Sequence, residues 1–328
     1  MADLDVVGIG NALVDVLSQE GDAFLAAQGL IKGAMQLVDE ARARELYAAM
    51  GPAVEVSGGS AANTIVGVAS FGGRAHYVGK VRDDQLGEVF SHDLRAVGVG
   101  YSTPAATSGP STGRCLIVVT PDAQRTLTTY LGASSQLGPA DVDKGLIERA
   151  GILYLEGYLF DPPAAQRAFR VAADLAHAAG RKVALTLSDP FCVDRHRAAF
   201  RELVEGHVDI LFANEAEIRS LYQASEFDAA LQQVRRYCAV AALTRSERGS
   251  VVVAGDEVHV IDAHPVKVVV DTTGAGDLYA AGFMVGLSRG LDLARCGRLG
   301  SLAAGEVISH VGARPQAPLV ELAGALLT

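Results

Sequence analysis

Long apolar runs, clusters of basic residues and closely paired cysteines are all missing from this chain of 328 residues. No stretch approaches the ~20 consecutive apolar residues that a bilayer-spanning helix needs, which excludes a transmembrane helix. Lys and Arg number 28 against 38 Asp and Glu, for a net charge of −10. With no basic patch, nucleic acid and anionic membrane surfaces are poor partners. Cys115, Cys192, Cys238 and Cys296 stand far apart, with none of the short spacings of a metal site. They read as buried, reduced thiols of a cytoplasmic protein. The eight histidines are equally scattered. The first five residues lack the basic start of a signal peptide and lead straight into a strand-like run. Gly-x-x-x-x-Gly-Lys-Ser/Thr occurs nowhere, so a phosphate loop of that type is excluded.

What is present is a chain that is 49% hydrophobic, ample for one large α/β domain or two smaller ones. Apolar strand-like runs alternate with helix-like runs. Val6–Gly10, Val78–Val81, Ile152–Leu155, Val183–Leu187, Ile210–Phe212 and Ala239–Leu243 are the main strand candidates. Helical patterns follow at Pro163–Ala179, Arg195–Glu205 and Glu215–Tyr222, and the last one, Leu291–Val311, stops at Gly312. Such alternation predicts a mostly parallel central sheet flanked by helices. Two stretches break it. Residues 13–56 mix short strand-like pieces with a helix at Ala41–Met50, and residues 109–131 alternate about a Pro121-Asp122-Ala123 turn. They make either edge hairpins on the main sheet or a small separate sheet; the residues alone leave both open.

Residues 266–286 carry the most chemistry. Val266–Val270 is a β-branched run that reads as a buried strand. Asp271-Thr272-Thr273-Gly274-Ala275-Gly276-Asp277 follows, and then a run of small and apolar residues suited to a close-packed helix. At a helix N-terminus the amides of residues 274–277 point outward unpaired, at the positive end of the dipole. That suits phosphate, or the charge on a phosphoryl group in transfer. A carboxylate such as Asp277 is repelled by phosphate but can take a proton from a hydroxyl that attacks it. The plainer reading is an acidic first-turn residue that steadies the dipole.

Three further motifs lie upstream. Gly58-Gly59-Ser60-Ala61-Ala62-Asn63 opens a helix, and Asn63 offers donor and acceptor to a hydroxyl. Gly8-Ile9-Gly10-Asn11-Ala12-Leu13-Val14-Asp15 follows the first strand, at the usual binding edge of a parallel sheet. Asp15 suits a pair of adjacent hydroxyls, unless it is simply a solvated loop residue. Asn214 and Glu217 share a helix face just after a strand, as a capping box or as organisers of a metal.

Together these strings resemble the ribokinase/PfkB family of carbohydrate and nucleoside kinases, in family order along essentially the whole chain, and most closely its adenosine kinases. Departures exist: Arg82 stands where many members have glycine, Ile65 replaces a small residue, and Thr186 replaces an asparagine. The resemblance implies a ribokinase-like α/β fold with a small β-sheet lid. Residues 1–12, 57–108 and 132–328 would form the large nucleotide-binding domain, and 13–56 with 109–131 the lid. It implies ATP-dependent phosphoryl transfer to the 5′-hydroxyl of a nucleoside, with adenosine foremost. A sugar kinase of the same family and a non-catalytic sugar- or nucleoside-binding regulator are the alternatives. Asp277 would be the base, with Gly274, Ala275 and Gly276 forming the anion hole. Asn11, Asp15, Gly58, Gly59 and Asn63 would hold the acceptor. Thr244, Thr273, Gly274, Gly276 and Asn214 would meet the nucleotide. Asn214 and Glu217 would organise Mg2+ through water, and Asp271 with Thr273 is a candidate K+ site. Arg125 or Arg245 could reach phosphate, adenine of ATP would lie near residues 304–312, and Leu13, Leu131, Tyr158 and Phe160 could line a nucleobase slot. The chain is expected to act as a monomer or homodimer.

Overall fold

The computed structural model describes residues 2–122 and 124–327, so Met1 and Ala123 of the expected turn lie outside the described residues. Its strands are β1 (Leu4–Ile9), β2 (Leu13–Gln19), β3 (Met35–Leu37), β4 (Ala53–Gly58), β5 (Ala75–Val78), β6 (Gly100–Tyr101) and β7 (Gly113–Val119). They continue with β8 (Arg125–Tyr130), β9 (Ala150–Glu156), β10 (Lys182–Thr186), β11 (Ile210–Asn214), β12 (Val240–Thr244), β13 (Ser250–Ala254) and β14 (Glu257–Ile261). Among the described residues they form two sheets. The larger has the order β14-β13-β12-β11-β10-β9-β1-β5-β6 and the smaller β3-β8-β7-β2-β4.

In the large sheet β1 pairs in parallel with both β5 and β9, placing Val6 between Ala75 and Ile152. β10, β11 and β12 extend the parallel run, and the β13–β14 hairpin closes that edge antiparallel. Side chains alternate between two cores, as the period of a strand requires. Tyr154 faces the helices Ser60–Ser70 and Ala275–Ser288, while Leu153 and Leu155 face Pro163–Ala178 and Pro190–His207. Parallel strands buried on both faces are the nearly continuous apolar runs seen in the sequence. The fold is the expected ribokinase-like α/β architecture, a mostly parallel sheet flanked by helices with a second, small sheet beside it.

The small sheet is built from the two irregular stretches. β2 pairs antiparallel with β4, placing Leu13 opposite Gly58, and in parallel with β7. One strand expectation fails. Val266–Val270 is irregular backbone, with Val268 64% and Val269 54% exposed. The run follows β14, the edge strand, without pairing to its open side. The final long helix is Leu293–Val307, shorter at both ends than the pattern suggested, and Asp292 caps it by accepting from the Arg295 amide. All four cysteines are buried and free. Among the described residues no helix is long and apolar enough to cross a membrane.

Candidate active site

The carboxyl ends of the parallel strands converge on one cleft, the edge where open α/β sheets bind ligands. Asn11 follows β1, Glu156 ends β9, Thr186 ends β10, Asn214 ends β11 and Thr244 ends β12. All five line a cavity of about 1240 Å3, which the small sheet walls on its other side with Leu13, Asp15, Met35, Leu37, Leu127 and Leu131.

Asp277 stands in the middle, in the first turn of the helix Ala275–Ser288. Ser60 Oγ donates to its Oδ1 at 2.6 Å and Asn63 Nδ2 to its Oδ2 at 3.2 Å. Behind Asn63, Arg314 Nε donates to the Asn63 Oδ1 at 3.1 Å. Burial pushes the Asp277 carboxyl up to about 6, against the two hydrogen bonds and the Arg314 charge that hold it down. At neutral pH it is therefore an anion, poised near the value useful for a general base.

The turn before it is set by Gly274, which caps the helix in the left-handed region with φ 80°. The Ala275 amide donates to the Thr272 carbonyl at 3.3 Å, so it is not free as expected. The Gly274, Gly276 and Asp277 amides have no such partner among the described residues. Gly276 faces open space, since a Cβ there would meet nothing within 4 Å.

Asp15 on β2 is half-buried, lines the cavity and accepts no hydrogen bond from any described residue. Burial raises its carboxyl to about 6, and Asp277 adds to this, while Arg314 and Arg125 oppose it. A Cβ on Gly58 would lie 2.3 Å from the Asp15 Cγ, so only glycine leaves room for that carboxylate. Gly59 has φ 95°, and a Cβ on it would lie 2.4 Å from the Asn11 carbonyl oxygen. Asn11 itself is tightly held. Its amide and Nδ2 donate to Glu156 Oε1, and its Oδ1 accepts from Ser134 Oγ. Glu156 Oε2 accepts from the Ala61 amide at 2.7 Å, which anchors the helix carrying Ser60 and Asn63. Burial raises the Glu156 carboxyl to about 7.

Asn214 and Glu217 form a complete capping box. Asn214 Oδ1 accepts from the Glu217 amide, and the Glu217 carboxylate accepts from the Asn214 amide and Nδ2. Both Glu217 oxygens are thus engaged, and the residue is 5% exposed. Among the described residues no group of three or more His, Cys, Asp or Glu is placed to hold a metal ion. Direct magnesium ligation does not fit these side chains; contact through water does. The Asp271 carboxylate is fuller still. Oδ1 accepts from the Thr273 amide and Oγ1, while Oδ2 accepts from the Gly312 amide and lies 2.9 Å from Arg125 Nη2. An acceptor so covered does not suit K+.

Other candidates sort simply. Thr244, Thr273, Leu13, Leu131 and Tyr158 line the cavity, as do Ala304, Gly305 and Ile308. Phe160 does not; it packs 4.4 Å from Phe200, centroid to centroid, in the core. Arg245 is held by Glu215 and lies over the Phe227 ring, whereas Arg125 Nη1 reaches Thr273 Oγ1 at 3.0 Å. Ser60, Glu156 and Arg314 were assigned no role from sequence. A lone glutamate closing the apolar run Ile152–Leu155 was the one available signal for Glu156. Arg314, in a loop beyond the last long helix, gave none.

A carboxylate near the free amides of a glycine turn, in a cleft between two sheets, suits a phosphotransferase with an alcohol group as acceptor, the class to which the family matched below belongs. The model of the pfkB family of carbohydrate kinases matches residues 25–319, and the chain belongs to that family. It is similar to the structure of adenosine kinase from Sinorhizobium meliloti, with 53% identity, a TM-score of 0.92 and coverage of 98% of this chain and 99% of that one. A probable sugar kinase from Rhizobium etli is similar too, with 49% identity, a TM-score of 0.94 and all of both chains covered. Adenosine kinase from Saccharomyces cerevisiae is 27% identical over 94% of this chain and 95% of its own length.

Proposed function

We propose that the chain transfers the γ-phosphoryl group of ATP to the 5′-hydroxyl of a nucleoside, adenosine foremost. One observation carries the acceptor: Asp15 presents an unpaired carboxylate to the cavity, with the apolar face of Leu13, Leu127 and Leu131 beside it. A carboxylate grips a ribose diol, and an apolar wall accepts a nucleobase. Asn63, Gly59 and the backbone about Asn11 hold the rest of the sugar. Asp277 takes the proton of the attacking hydroxyl. The Gly274, Gly276 and Asp277 amides face the equatorial oxygens of the transferring group, where charge builds.

ATP would lie along the strand ends from Asn214 and Thr244 to Thr273, with its adenine near Ala304–Ile308. Magnesium would enter with the phosphates and neutralise their charge, and Asn214 and Glu217 would meet only its water shell. The small sheet would serve as a lid whose closure excludes water. In this reading residues 13–56 and 109–131 move against the remainder.

The likeness to a probable sugar kinase supports a second reading, a free-sugar acceptor bound by the same Asp15 and Asn63. Side-by-side kcat/KM values for adenosine, inosine, ribose, fructose and 2-keto-3-deoxygluconate decide between them. Adenosine is expected to lead. A free sugar that beats every nucleoside overturns the acceptor and leaves Asp277 as base. No ATP consumption with any of them would favour a binding regulator.

A further inference from the structure

Arg314 is a costly residue to keep where it is. Its Nη2 is buried and has no hydrogen-bond partner among the described residues, and only its Nε donates, to Asn63. The residue is half-buried, and one guanidinium nitrogen buried without a partner costs stability that an apolar side chain of similar size would not, so packing alone does not explain it. Yet its loop is held firmly. Glu306 Oε1 accepts from the Gln316 and Ala317 amides and pairs with His310, and Gly312 donates to Asp271. The guanidinium is thereby fixed behind the cavity wall, which it does not itself line.

A guanidinium only donates, and a carboxylate only accepts. Asn63 lies between one of each. Its oxygen must face Arg314, so its nitrogen must face Asp277. With Arg314 removed, only the hydrogen bond to Asp277 is left to hold the carboxamide in that orientation. Arg314 also supplies the positive charge facing Asp277. The other titratable groups about Asp277 are Asp15 on β2, Tyr154 and Glu156 on β9, Tyr158 just beyond it, and Glu217 after β11. None of these is a cation.

We propose that Arg314 is a positioning residue: it reinforces the orientation of Asn63 from behind and adds a positive charge that favours the Asp277 anion ready to take the acceptor proton. This rests on Asp277 being the base. Arg314 touches neither substrate; it acts through Asn63 and through space.

The test is a pH–rate series on Arg314→Met, Arg314→Lys, Asn63→Ala and the double variant Arg314→Met/Asn63→Ala, with adenosine and ATP. Arg314→Met is expected to lower kcat roughly 10–100-fold, leave the ATP KM unchanged and move the acid limb of kcat/KM up by about one pH unit. Arg314→Lys keeps the charge, so its acid limb is expected to stay near the wild-type position while kcat stays below wild type. In the double variant the kcat loss is expected to fall well short of the product of the single losses, because one residue acts through the other. Wild-type kcat and acid limb in folded Arg314→Met, or fully multiplicative losses, overturn the proposal. If Arg314→Met does not fold, Arg314→Lys decides it: a limb displaced as far as that of Asn63→Ala refutes the role of charge. Asp277→Asn is run alongside. An active Asp277→Asn overturns the base itself, whereas an inactive one beside an unmoved Arg314→Met limb overturns only Arg314.

Discussion

Asparagine in place of Asp277 separates two consequences of one carboxylate. The shape is retained: the Ser60 hydroxyl can turn to accept from the new amide, and Asn63 Nδ2 still meets an oxygen. The proton acceptor is lost, and general-base catalysis is typically worth ~10²–10⁴-fold, or ~2.7–5.5 kcal/mol of barrier. Stability should move the other way. The carboxyl titrates near 6 in the folded chain instead of 3.8. The folded chain therefore binds more proton between these values, and this group's contribution to stability falls as pH rises through that window. At pH 7 the full penalty is present, at most ~3 kcal/mol by linkage at ~1.4 kcal/mol per pH unit. Asp277 is half-buried, so solvent screening reduces the gain expected on removing the charge to about 1–2 kcal/mol. That corresponds to a rise in Tm of roughly 2–3 °C for a chain of this size. Steady-state assays and thermal melts from pH 7.5 down to 4 check both effects, and the melting gain should shrink toward pH 4. More than a tenth of wild-type kcat in Asp277→Asn would refute the proton-transfer role. An unchanged melting temperature at every pH would refute the burial argument.

Three more outcomes follow from the same geometry. Asp15→Ala should raise the acceptor KM roughly 10–100-fold, as expected for lost hydrogen bonds to a charged group, with the ATP KM unchanged; an equal change in both constants would place Asp15 on the nucleotide. Gly276→Ala adds a methyl group that meets no atom in the chain. It should hold or raise Tm while raising the ATP KM, and unaltered kinetics would remove Gly276 from the phosphate site. Glu217→Gln sets a donor against the Asn214 donors and should cost about 1–3 kcal/mol of stability while raising the half-saturating magnesium concentration. A lower Tm with an unchanged magnesium titration would reduce the pair to a helix cap.

The legible parts of this structure were those that repeat or punctuate. Continuous apolar runs exposed the parallel strands, and glycine clusters marked the turns at Gly59 and Gly274. Val266–Val270 misled because β-branched composition reports only fitness for a ladder, not whether the chain joins one. These valines follow the edge hairpin, and Val266 and Val269 instead form part of the cavity wall. Asp271 looked like a free ligand because its occupants, Arg125 and Gly312, lie 146 and 41 residues away in sequence. Ser60 stands within the Gly58–Asn63 motif, but only the fold brings it within 2.6 Å of Asp277. Such long-range pairs leave no local trace.

Among the described residues, two of the four crossings between the sheets lie where the proposed function puts acceptor recognition. The chain passes from β1 to β2 through Gly10, Asn11 and Ala12, and from β4 to the helix Ser60–Ser70 through Gly59, whose lack of a Cβ leaves room for the Asn11 carbonyl. On that reading these two crossings and the acceptor grip share the same residues. Any change that retunes what is gripped also stiffens or loosens the crossings, so turnover and selectivity at these positions are inherited together. Evolution toward a new acceptor would find its independent freedom elsewhere, on the inward face of the small sheet at Met35, Leu37 and Leu127, which line the cavity but take no part in either crossing.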